Sequence, residues 1–133
     1  MDEKEKWYTV TLRILSDTIE PEKISSILGL KPKFFGKKGE LYGGKPGRAR
    51  YETNLWGYSL EMNDSIPFEK QIPKLLDVIE TKIESYQSII STKETHADLF
   101  LGYSSISGQG GAYLSCKLMK RITSLELDII IDL

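Results

Sequence analysis

Strict alternation marks the end of the chain. Leu125, Leu127, Ile129, Ile131 and Leu133 share one parity and Glu126, Asp128 and Asp132 the other, which predicts a closing strand with one buried and one largely polar face. The same period of two runs through residues 7–15, where Tyr8, Val10, Leu12 and Ile14 alternate with Thr9, Thr11 and Arg13. Residues 50–61 and 97–104 read as two further strands. In the first of these, Trp56, Tyr58 and Leu60 oppose Tyr51, Thr53 and Leu55, so both faces are expected to be partly covered. Elsewhere the period changes to that of a helix. Ile24, Ile27 and Leu28 form a stripe that opens with Pro21 at the first helical position and closes with Gly29 where a left-handed cap belongs. Ile72, Leu75, Leu76, Ile79, Ile83, Tyr86 and Ile90 continue a single long stripe, and Pro73, tolerable in a first turn, sets its start near 68–72. Ser115 is a good N-cap for a short helix carrying Leu118, Met119 and Ile122 inward.

The predicted order is therefore β-α-β-α-β-α-β. Strands that alternate, rather than run continuously apolar, favour an α+β fold: a mainly antiparallel sheet of four strands, or slightly more, with helices packed on one face. A chain of 133 residues fits one domain, 1–133, and buries enough surface to fold alone. Residues 1–6 alternate acid and base without an apolar core and read as a disordered tail rather than a signal or transit peptide. With no membrane-length apolar run, a cytoplasmic location is the default expectation. One cysteine, Cys116, and one histidine, His96, allow neither an internal disulfide nor a closed zinc site, and no metal or cofactor is expected.

A net charge of −1 conceals an asymmetry. Residues 31–50 hold Lys31, Lys33, Lys37, Lys38, Lys45, Arg48 and Arg50 against Glu40 alone, a local charge of +6 that leaves −7 for the rest. Five of the eleven glycines fall in the same segment, with Phe34, Phe35 and Tyr42 among the charges. Cations neutralise phosphate, aromatic faces stack on bases, and glycines let a backbone approach a ligand, so this basic glycine-rich loop is a candidate anion or RNA surface. Its solvated-loop alternative is the commoner one, since Gly and Pro mark loops of any purpose.

Enzyme motifs come close and fail. Gly39 to Lys45 has G-x-x-x-x-G-K spacing, but Pro46 stands where a magnesium-binding hydroxyl is needed and the segment leads into a strand. Gly102, Tyr103 and Ser104 lack the second glycine of a nucleophile elbow, and Gly108, Gly110 and Gly111 lack the last glycine of a dinucleotide fingerprint. A serine hydrolase would have to recruit His96 from the far end of the same strand. Glu126 and Asp128, about 7 Å apart on one strand face by strand rise, suit paired carboxylates or a hard cation but supply too few ligands alone. Cys116, in a helix's first turn beside Leu118 and Met119, reads as a small core residue.

Several short pieces share one order along the chain: Pro21, Glu22, Lys23 and Ile24 with Leu28, Gly29 and Leu30; Lys38 and Gly39; Trp56; Gly102 and Tyr103; and Leu118 followed by Glu126, Leu127, Asp128 and Ile129. In these the chain resembles the domain-of-unknown-function 4279 family. The resemblance implies a small, mostly bacterial, single-domain α+β protein and brings no catalytic residue with it.

The resulting expectation is a non-enzymatic binding module, with Lys37, Lys38, Gly39, Arg48 and Arg50 of the loop, the neighbouring Trp56 and Tyr58, and Asp128 as candidate contact residues. An immunity-type inhibitor that blocks a protein toxin is its concrete form, by analogy of size and type. The alternatives are a binder of a phosphate-bearing ligand or RNA through 31–50, and an acid/base enzyme built on Glu126 and Asp128.

Overall fold

The computed structural model describes residues 6–108 and 110–132. The tail expected over 1–6 therefore lies outside the described residues except for Lys6, which opens the first strand. The elements are β1 (Lys6–Ser16), α1 (Pro21–Leu28), β2 (Phe34–Gly36), β3 (Asn54–Tyr58), α2 (Phe68–Glu80), α3 (Ile83–Ile90), β4 (Thr95–Ser105), α4 (Cys116–Ser124) and β5 (Leu127–Asp132). The five strands form one mixed sheet in the order β2-β3-β1-β4-β5. Three of the four pairings are antiparallel, and β5 alone runs parallel to its neighbour β4.

One face of the sheet is covered. Val10, Leu12 and Ile14 of β1 stand opposite Leu101, Leu99 and Ala97 of β4, Ile14 also faces Trp56 of β3, and all of them join the core beneath the helices. From α2 come Phe68, Ile72, Leu75, Leu76 and Ile79, and from α3 Tyr86 and Ile89. The Trp56 indole is fully buried, and its Nε1 donates to Ser25 Oγ of α1 at 2.9 Å. Tyr86 donates its hydroxyl to the Leu125 carbonyl at 2.7 Å, which closes the seam between α3 and the turn into β5. α1 ends as its sequence predicts, with Gly29 at φ 66° and its N–H on the Ser25 carbonyl.

The departures from the sequence reading have local causes. The sheet has a fifth strand, β2, within the stretch read as loop, and the β-α-β-α-β-α-β order gives way to one with a short extra strand and a divided helix. The divided helix is the single stripe over 72–90, broken at Thr81 and Lys82: Thr81 Oγ1 donates to the Val78 carbonyl at 2.6 Å, and the Lys82 N–H turns back to Ile79 instead. Pro73 sits in the second turn of α2, one step deeper than a first-turn position, and removes the N–H that would have met the Glu69 carbonyl. β3 spans only Asn54–Tyr58 because the chain before it is folded into a hairpin. Glu126, read as a strand residue, instead turns the chain into β5 with φ 54°. Cys116 is exposed rather than in the core. No helix among the described residues is long and apolar enough to cross a membrane.

Burial pushes the Tyr86 phenol well above its ordinary value, with a smaller push from the Glu126 carboxylate. A group held neutral by the fold contributes stability that is intact below its unfolded pKa of about 10 and is lost as pH rises from there towards the folded value. Replacing Tyr86 by Phe is expected to cost about 1–2 kcal/mol near neutral pH, because the Leu125 carbonyl loses its buried donor. Urea titrations of both proteins check this, and the gap between them should narrow above about pH 10.

Candidate functional site

Residues 31–50 are built as an ordered arm rather than an open loop. The arm doubles back through Gly39 N–H to Tyr51 O, Tyr51 N–H to Glu40 O and Tyr42 N–H to Ala49 O, each at 2.9 Å, with Leu41 bridged to Arg50 and one 3₁₀ turn at Tyr42–Gly44. Buried Asn54 pins its base, accepting from Lys38 N–H at 2.9 Å and donating to the Ile19 carbonyl at 3.1 Å. A shallow hollow of about 430 Å³ lies between Phe35, Glu40, Arg50 and Tyr51.

The cations of this arm divide into two sets. Lys37 Nζ meets Glu22 of α1 at 2.8 Å, which lowers the Glu22 carboxyl pKa and raises that of Lys37. Lys38 lies 3.6 Å from Asp17, and Arg50 donates to the Gly39 carbonyl at 2.7 Å. Three of the four cations singled out from sequence are therefore engaged with the protein itself. Arg48, with Lys31, Lys33 and Lys45, makes no ion pair among the described residues. Gly39 has φ 88° and open space where a side chain would stand, so a turn is what it serves.

Trp56 and Tyr58 do not join these cations on one surface. Trp56 points into the core, and half-buried Tyr58 stacks along it at 6.0 Å and 9°. Asp128 is across the sheet on β5, exposed, on the face that no helix covers. It stands beside Asp98 of β4 in the strand register. Asp98 is itself buried and held by Arg13, whose Nε and Nη2 donate to its two carboxylate oxygens at 2.8 Å each. The guanidinium also lies 4.6 Å from the Phe100 ring centroid. The Asp98 hydrogen bond raises the Arg13 pKa further.

This open face is closed by its own side chains. The Tyr51 ring lies where a side chain at Gly36 would be, and the Phe34 ring lies over Gly57 in the same way. Thr11 and Ser59 share a hydroxyl contact at 2.9 Å. Among the described residues no three His, Cys, Asp or Glu side chains gather as metal ligands, and no buried polar side chain lacks a partner. His96 opens β4 and Ser104 lies near its end, about 26 Å away by strand rise, beyond any hydrogen bond.

Two features escaped the sequence reading. One is the outer edge of β5, where Ile129, Ile130 and Ile131 are 36%, 40% and 56% exposed although Ile129 and Ile131 have core parity. The other is a cavity at the end of β4 and β5, bounded by Phe68, Tyr103, Leu114 and Ile131. The arrangement defines a small α+β domain with a mixed sheet covered on one side. The chain belongs to the family described as a domain of unknown function (DUF4279), which it matches over residues 5–133. No curated protein and no solved structure matches it.

Removing Arg13 strands the buried Asp98 carboxylate, and removing Asp98 leaves the part-exposed Arg13 guanidinium without its two acceptors. Arg13→Ala is expected to destabilise by about 3 kcal/mol and Asp98→Ala by less, and the double variant by clearly less than the sum, as a denaturant double-mutant cycle will read. An additive result would contradict the coupling.

Proposed function

We propose that this protein is a non-enzymatic binding module whose partner is another protein, received as an extended segment along the outer edge of β5. The supporting observation is the state of that edge. β5 pairs with β4 on one side, has no strand on the other among the described residues, and presents three successive exposed isoleucines. Alternate N–H and C=O groups of such a strand point away from its neighbour and are available to an added strand. Edges are ordinarily blunted by lysine, proline or a bulge, and Leu127–Asp132 has neither lysine nor proline.

Asp128 and Asp132 narrow the choice of partner. In a two-fold antiparallel self-pairing centred on Ile130, Asp128 of each copy faces Asp132 of the other, which sets like charges opposite at both ends. A segment with basic residues at those two positions and apolar residues between them matches β5 better than a second copy does. The basic arm supports the electrostatic alternative less well, because Lys37, Lys38 and Arg50 are engaged internally. An inhibitor that blocks a protein toxin remains the concrete form of this reading.

A peptide with lysines four residues apart and valines between them (Lys-Val-Val-Val-Lys), followed by amide NMR, tests it. Expected are saturable shifts along β5 and an affinity loss of about fivefold or more in the Asp128→Asn/Asp132→Asn variant, with the same peptide carrying glutamates in place of its lysines failing to bind. Equal binding of the two peptides, or none, overturns the proposal. So do shifts confined to Lys31, Lys33, Lys45 and Arg48 with oligouridine RNA, which would place the function on the basic arm.

A further inference from the structure

The cavity beyond β4 and β5 shares only Ile131 with the edge. It encloses about 530 Å³, within the range of small-molecule sites. Its position follows from the topology. The β4–α4–β5 connection is the sheet's parallel crossover, and the cavity lies at the carboxyl ends of those two strands.

The walls are mainly apolar. Phe68 from the start of α2, Leu101 from β4, Leu114 before α4 and Ile131 of β5 line the cavity. Tyr103 belongs to a ring cluster in which Tyr8 lies edge-on to Phe68 at 5.0 Å and 5.2 Å from Tyr103. Gly110, Gly111 and Ala112 also line the cavity, and Gly110 lies so close to the Tyr103 hydroxyl that a side chain there would collide with it. The polar side chains in the wall are the hydroxyls of Tyr103, Ser104 and Ser105, and no charged side chain lines the cavity among the described residues.

We propose that this cavity binds a neutral, predominantly apolar small molecule carrying an aromatic ring. A charged ligand would lose hydration there without gaining a counter-ion. An aromatic ring finds partners in Phe68 and Tyr103, and the Ser104 hydroxyl in the wall can meet a single polar group.

The probe is N-phenyl-1-naphthylamine, a neutral fluorescent aromatic, titrated into the full-length protein beside its sulfonated analogue 1-anilinonaphthalene-8-sulfonate. The neutral dye is expected to bind at one site per chain with a blue-shifted emission, and more tightly than the sulfonate. Ala112→Trp, which places a bulky ring in the cavity mouth, should weaken it by about tenfold or more, and Ile130→Lys on the open face should leave it unchanged. That second variant separates the cavity from the edge, since it removes strand addition alone. In the wild-type protein the bound dye should shift the methyl resonances of Leu101, Leu114 and Ile131, a readout that stands even if Ala112→Trp does not fold. Unsaturable binding, a preference for the sulfonate, or methyl shifts centred on Ile129 and Met119 would overturn the proposal.

Discussion

The register of β1 against β4 constrains every other element of the structure. Leu12 stands opposite Leu99 with both fully buried on the helix side, while the next pair, Arg13 and Asp98, meets on the other side in a two-point ion pair. A one-residue slip of β1 against β4 would carry Arg13 under the helices, turn Leu12 out to the other face and leave buried Asp98 without its partner. Apolar burial and charge pairing thus select the same alignment from opposite faces. Because β1 is the central strand, β3 and β4 inherit their alignment from it.

Helices cover one face, so the other must be completed from within the sheet. It is completed by laying aromatic rings over glycines, Tyr51 on Gly36 and Phe34 on Gly57, and by the Arg13–Asp98 pair beside Phe100. These contacts explain why the segment between β2 and β3 is an ordered arm. Tyr51 anchors its returning limb over β2, Asn54 anchors its base, and Lys37 reaches back to α1. The positive charge gathered there is thereby partly spent on holding the arm to the body, which weakens its value as a phosphate surface.

What was legible in the sequence was local. Pro21 and Gly29 bracket α1 through their own backbone preferences, and the period of residues 7–15 identifies the central strand. Strand direction is not contained in alternation, so the parallel entry of β5 was invisible. Phe34 and Phe35 were hidden among lysines and glycines, and the break at Thr81 and Lys82 interrupts a stripe of apolar positions that is continuous in sequence. Parity also says which face a residue occupies without saying how far a helix extends over it. α4 spans nine residues and covers Leu127, leaving Ile129 and Ile131 of the same parity exposed. The sequence candidates therefore scattered: Trp56 took a packing role, Lys37, Lys38 and Arg50 took structural ones, and Asp128 alone stands on the strand that is open.

Strand addition at β5 requires that its outer edge be uncovered in solution. Residue-resolved amide hydrogen exchange of the free protein, repeated over a range of concentrations, measures this directly. The β5 amides that point away from β4 are expected to exchange far faster than those of β1 and β4, at every concentration. Protection of those outward amides equal to that of β1, or protection that appears as concentration rises, would mean that the edge is already covered, and would contradict the account.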